Sequence, residues 1–302
     1  MKTTRREFIA TSAMAALAPS LPMPEGGQPR LAFSTLGCPK WPWPQILDFA
    51  AANGFSAIEI RCILGDLDLP NRPEFAPDKI AATKKDIAAH GLKISDLGSS
   101  SEMHHTDPEK HAKSIADAKR FIDLAEKLEA PYVRIYGNKI EGPRDECIHR
   151  VAAGMHELGV YAAPHGVSVI IESHGDFVDS PTLKQVLTEA DHPNAAFLWD
   201  AHHTYVSGHE EPEVTVRELG KWIRHTHLKD SVMVNGEAHY VLTGTGSVPV
   251  KRQVQTLAAT GYKGYFCFEW EKLWHPDITE PEVAIADYAK VVPTYLEKPK
   301  SS

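Results

Sequence analysis

Residues 165–203 read HGVSVIIESHGDFVDSPTLKQVLTEADHPNAAFLWDAHH, and this stretch decides the fold. Gly166 stands just past a helical segment and directly before an apolar run, Val167 to Ser173, that predicts a strand. Thr182 to Glu189 then carries Leu and Val at helical spacing, and Ala195 to Asp200 is a second apolar run. Strand, helix and strand in one short stretch make a βαβ unit, whose two strands lie parallel.

The same alternation runs outward in both directions. Strands are predicted at Leu31 to Leu36, Ala57 to Arg61, Leu92 to Leu97, Tyr132 to Tyr136, Ile223 to Leu228 and Gly264 to Trp270, as well as the two above. The clearest further helices are Asp78 to His90, His111 to Leu128, Arg144 to His165 and Val250 to Ala259. Asn53-Gly54, His90-Gly91 and Thr260-Gly261 repeat the helix stop before a strand. Repeated βα units without a long linker or a break in composition predict one α/β domain, a single (β/α)8 barrel over residues 30–302. No GxGxxG follows the first strand and no GxxxxGK[ST] occurs, so nicotinamide and nucleotide cofactors have no support.

Residues 1–25 read differently. Arg5-Arg6 with Phe8 and Ile9, then the small apolar run Ala10 to Ala18, predict a twin-arginine signal peptide and linker. The run is too short to remain as a membrane anchor, and the expectation is an exported, periplasmic protein. Forty acidic against 32 basic residues give a net charge of −8, which lacks the basic footprint of a nucleic-acid binder. The four cysteines Cys38, Cys62, Cys147 and Cys267 form no CxxC pair. Cys38 and Cys62 end adjacent strands, where core packing is their ordinary use and pairing after export the alternative.

In a barrel of this kind the active site is built at the C-terminal ends of the strands. Strand five ends Ile171-Glu172-Ser173-His174 and strand six Trp199-Asp200-Ala201-His202-His203. Strand seven ends His225-Thr226-His227-Leu228-Lys229-Asp230, and strand eight Phe268-Glu269-Trp270-Glu271. A carboxylate among apolar strand neighbours costs several kcal/mol unless it is paired or binds a cation. Glu172, Asp200 and Glu269 all stand in that position, and one divalent metal with the His227 imidazole would hold all three. Oxygen and imidazole donors without thiolate suit Mn, Co, Mg, Fe or Zn. Lys229 follows His227 by two, faces the same side, and is a candidate for a substrate oxygen. His174, His203, Glu59 and His105 are the remaining candidates for substrate contact, with Glu59 alternatively paired to a neighbouring strand. His104 and His105 follow strand three, and Phe177, Trp270 and Trp274 either stack on a sugar or pack.

These strand ends, together with the Gly244-Thr245-Gly246 loop, resemble the sugar phosphate isomerase/epimerase superfamily, the xylose isomerase-like barrels with ketose 3-epimerases, inosose dehydratases and endonuclease IV. The resemblance runs from about Leu31 to the C-terminus. It implies one metal on Glu172, Asp200, His227 and Glu269, proton transfer by Glu172 and Glu269, and His203 beside the metal or a substrate oxygen. The implied activity is isomerisation or epimerisation of a keto sugar or polyol ketone through an enediolate. Ketose 3-epimerases of this family carry a further glutamate and an arginine where Val178 and Met233 stand here. The His227-Leu228-Lys229-Asp230 stretch is closer to the inosose dehydratase branch, so loss of water, or elimination from a 3-keto sugar, is the alternative. A non-catalytic sugar-binding barrel and an endonuclease are the readings from other classes. The partner is a small sugar-like molecule, and the sequence leaves a homo-oligomer open.

Overall fold

The computed structural model describes residues 29–297. The export-signal reading on residues 1–25 lies outside them. Eight parallel strands close into a barrel in the order β1-β10-β7-β6-β5-β4-β3-β2. They are β1 (Leu31–Ser34), β2 (Ala57–Ile60), β3 (Lys93–Glu102), β4 (Tyr132–Asn138), β5 (Ser168–Gly175), β6 (Ala195–Asp200), β7 (Ile223–Leu228) and β10 (Phe266–Phe268). Each predicted strand is present, and β3 runs on past Leu97 to Glu102. Helices α1 (Trp43–Ala52), α2 (Ile80–Ala89), α3 (Pro108–Leu128), α4 (Arg144–Ala162), α5 (Ser180–Ala190), α6 (Ala201–Val206), α7 (Pro212–Leu219), α8 (Val250–Ala259) and α9 (Pro281–Thr294) complete the units.

Local chemistry sets the helix ends. Helix α3 starts before His111 because Asp107 caps it, its carboxylate accepting from Glu109 N at 2.9 Å, with Pro108 in the first turn. Helix α4 ends at Ala162 and not at His165, because Pro164 cannot continue the α-helical ladder and the chain tightens into a 3-10 turn. The sequence reading did not contain the antiparallel hairpin β8 (Asp230–Val234) and β9 (Glu237–Val241). Its turn, Asn235-Gly236, takes positive φ at both residues, as a two-residue hairpin turn demands. Asp230 anchors the loop that follows, its carboxylate accepting from the backbone N–H groups of Gly244, Gly246 and Val248.

One large apolar core lies between the strands and the helices. Inside the barrel, Ala32, Ala57, Tyr265 and Cys267 form one small plug, and Ile170, Ala196 and Leu198 with Tyr132 form another, both toward the N-terminal ends of the strands. The next inward positions, two residues on, are Glu59, Arg134, Glu172, Asp200 and Glu269. The lumen is therefore apolar below and ionic above. Among the described residues no helix is long and apolar enough to cross a membrane.

Candidate metal and proton-transfer site

Alternation along each strand builds the site. On β7, His225 and His227 point into the barrel, and Lys229 follows beyond the strand end. After β10, Glu269 and Glu271 follow Cys267 in the same way. Glu172, Asp200, His227 and Glu269 are all buried, and one donor atom from each lies within 4.8 Å of the others. His227 Nδ1 is 3.1 Å from Glu172 Oε1, 3.2 Å from Glu269 Oε1 and 4.0 Å from Asp200 Oδ2. Donors about 2.1 Å from one ion stand roughly 3.0–3.4 Å apart around it, so the two shorter spacings suit ligands to a shared cation as well as the direct imidazole–carboxylate contacts they make here.

The outer oxygens of the two glutamates are occupied differently. Arg134, buried on β4, donates from Nη1 to Glu172 Oε2 at 2.6 Å. Lys229 Nζ donates to Glu269 Oε2 at 2.5 Å and Asp200 Oδ2 at 2.6 Å, and reaches Glu271 Oε1 at 2.8 Å. Each glutamate therefore turns one oxygen to His227 Nδ1 and the other to a fixed cation. The residues present fit a divalent metal, with oxygen donors turned inward and the His227 ring presenting Nδ1 between them. Burial alone would raise the Glu172 carboxyl, but Arg134 and His227 pull it down to about 2. Glu269 is likewise held well below its ordinary range, by His227 and Lys229 against burial.

Behind His227 stands Glu59, in the paired role that is the alternative to substrate contact. Glu59 is completely buried, and its Oε2 contacts His227 Nε2 at 2.6 Å and His225 Nε2 at 3.0 Å. It pairs with a strand across the barrel and has no exposure at the mouth; it fixes the His227 ring so that Nδ1 faces the three acids. Lys229 also differs from its expected use, since two of its donors go to Asp200 and Glu269 and its charge is shared with Glu271 as well. His203 sits at the rim, with Nδ1 3.3 Å from Asp200 Oδ2 and its backbone N–H donating to Asp200 Oδ1 at 2.8 Å. His174 packs edge to face on His203 and contacts Asn138 Oδ1 through Nδ1 at 3.0 Å. His105 lies apart from these, its ring tilted against that of His104 and 3.6 Å from Glu102. Phe177 and Trp270 are fully packed and Trp274 is exposed, while Cys38 and Cys62 are both free and buried.

Arg134, His225 and Glu271 were missed. The signal for them was the two-residue period, since each lies two or four positions from another inward-facing strand residue.

The metal-free site has a proton to give up. Burial opposes the charge on His227, but Glu269, Glu59 and Glu172 outweigh it and hold its pKa well above 6.5. A metal taking Nδ1 must compete with the proton that these acids favour on the ring, and release it on binding. Titration calorimetry in two buffers of different ionisation enthalpy should show that release, with affinity rising as pH rises. Heats that do not depend on the buffer would remove His227 from the ligand set.

The xylose isomerase-like TIM barrel family model matches residues 47–291. The chain belongs to that family. It is 26% identical over 145 residues to an inosose dehydratase of Geobacillus thermodenitrificans, covering 42% of this chain and 48%, about half, of that relative. A protein of Streptomyces coelicolor named as a hydroxypyruvate isomerase is 25% identical over 244 residues, covering 74% and 83% of the two chains. Among solved structures, the IOLI protein with a zinc atom superposes with a TM-score of 0.74 at 18% identity, over 88% of this chain and 99% of that one.

Proposed function

We propose that this family member is a divalent-metal-dependent isomerase or epimerase that moves a proton on the carbon beside a ketone. The observation that carries the reading is the placement of the Glu172 and Glu269 inner oxygens at matched distances, 3.1 and 3.2 Å, from His227 Nδ1. Two carboxylates facing one centre from different strands are what removal of a proton and its return require. A divalent cation on Glu172, Asp200, His227 and Glu269 would polarise a hydroxy-ketone and offset the charge of the enediolate. Arg134 keeps Glu172 ionised and so ready to accept a proton at Oε1. Lys229 does the same for Glu269 through Oε2, so either glutamate can remove the proton and the other return it, according to the face of the substrate presented. His203, part-exposed beside Asp200, stands where a substrate oxygen would enter.

Exchange in deuterated water tests this. The manganese-loaded protein should incorporate deuterium at one carbon of a keto substrate, read by NMR across ketoses, inososes and keto acids. No exchange on any of them would overturn the reading. The inosose dehydratase relative supports loss of water as the second outcome, since elimination starts from the same proton abstraction.

A further inference from the structure

Arg61 follows Glu59 by two and enters the lumen one step nearer the mouth. Its side chain is 4% exposed, yet its hydrogen bonds go to neutral oxygens, from Nη1 to Gly98 O at 3.3 Å and from Nη2 to Ser100 Oγ at 2.8 Å. Among the described residues no carboxylate forms an ion pair with it. Ser100 is exposed, so the guanidinium reaches the rim of the site.

Its neighbour makes the position less favourable still. Arg61 and Arg134 pass together over Gly98, where a Cβ would stand 2.6 Å from Arg61 Cδ and 3.0 Å from Arg134 Nη2. Only glycine leaves room for both. The nearest acids, Glu172 at 2.6 Å and Glu269 at 3.9 Å, pair with Arg134 and not with Arg61. Burial first, and then the Arg134 charge, lower the Arg61 pKa from its ordinary value. Across the barrel the balance is the reverse, with Asp200, Glu269 and Glu271 sharing Lys229. One wall of the site thus holds a buried cation that the protein does not pair, which is costly unless a ligand brings the missing charge.

We propose that Arg61 binds the carboxylate of the substrate, and that the enzyme acts on a hydroxy-keto acid and not on a neutral ketose. The guanidinium fork matches a planar carboxylate with two parallel hydrogen bonds, and one unpaired positive charge balances one negative charge. A phosphate dianion would leave a second negative charge beside Glu172 and Glu269. The substrate class rests on the proton-transfer reading above, while the anion site does not.

Hydroxypyruvate and dihydroxyacetone separate the two. They share an enolisable hydroxymethyl ketone and differ by a carboxylate in place of a hydroxymethyl group. With the manganese-loaded full chain, kcat/KM for proton exchange should favour the acid, and Arg61→Gln should collapse that preference roughly 10- to 100-fold, through KM. Arg61→Lys, which keeps the charge and loses the fork, should fall between. An unchanged preference in Arg61→Gln overturns the proposal. Calorimetric binding of glycerate, glycerol and inorganic phosphate gives a reading without turnover. Glycerate binding that weakens in Arg61→Gln supports the anion site even if no substrate exchanges, an outcome that would sink only the proton-transfer reading. Glycerate binding equal in the two proteins, or phosphate binding more tightly than glycerate, overturns it. A merely structural Arg61 would lower the thermal midpoint of the ligand-free Arg61→Gln protein, whereas removing an unpaired buried charge should leave it level or raise it.

Discussion

Glu172→Gln and Glu269→Gln should each lower proton exchange by about 10³-fold or more, the scale expected when a positioned general acid or base is removed. Glutamine keeps the size and one oxygen, so the barrel should still close, but it neither accepts nor returns the proton. The two variants should part company in stability. Among the described residues, Glu172→Gln leaves Arg134 with Glu269, 3.9 Å away, as its one remaining ion-pair partner. Glu269→Gln leaves Lys229 with both Asp200 and Glu271. Breaking a buried ion pair by removing one partner costs roughly 3–5 kcal/mol, so Glu172→Gln should be the less stable protein when metal-free. Denaturant unfolding beside the exchange assay checks both. A variant exchanging at the wild-type rate would remove that glutamate from proton transfer.

The barrel was legible because its signals are local and repeated. Each strand is an apolar run bounded by a glycine stop or a polar strand end, and β5 to α5 to β6 is visible in residues 165–203 alone. The β8–β9 hairpin was not legible in the same way. Met233 and Val234 read as continuing apolar chain, and the Asn235-Gly236 turn lies outside the strand-helix alternation. The ligand candidates were visible because an acid at an apolar strand end is anomalous by itself. Pairing partners are another matter, because they come from strands far apart in sequence. Glu59 on β2 and His227 on β7 meet only after the barrel closes, and Arg134 to Glu172 depends on the register of β4 and β5. The sequence thus shows which residues need a counter-charge without showing which residue supplies it. Glu59 reads in the sequence as a substrate contact or a pair with a neighbouring strand, and Lys229 as a candidate for a substrate oxygen; the structure gives each a protein partner.

Lys229→Met should lower the thermal midpoint of the metal-free protein more than any other single change at the site. The lysine is fully buried, and three acids lean on it within 2.8 Å. Methionine matches its length and apolar stem, so the loss is one of charge. Asp200, Glu269 and Glu271 would then face one another without the lysine they share, at a cost of about 3–5 kcal/mol. For a domain of this size that corresponds to roughly 6–20 °C in midpoint. The pH dependence follows from the sign. Burial opposes ionisation of Glu269 and Glu271, while Lys229 is among the groups holding both pKa values below their ordinary range; without it those values rise. The variant should then regain stability as pH falls and the acids protonate, so its deficit is largest at neutral pH and above. A divalent cation should restore stability at neutral pH by supplying the charge the lysine carried, and should bind the variant more tightly than the wild type, because one positive charge no longer opposes it. Calorimetric scans with and without manganese read all three effects. A metal-free variant as stable as the wild type at pH 7 would mean that these carboxylates do not depend on Lys229 for their charge balance, and the account of the site as a set of acids shared between one fixed cation and one metal would fail.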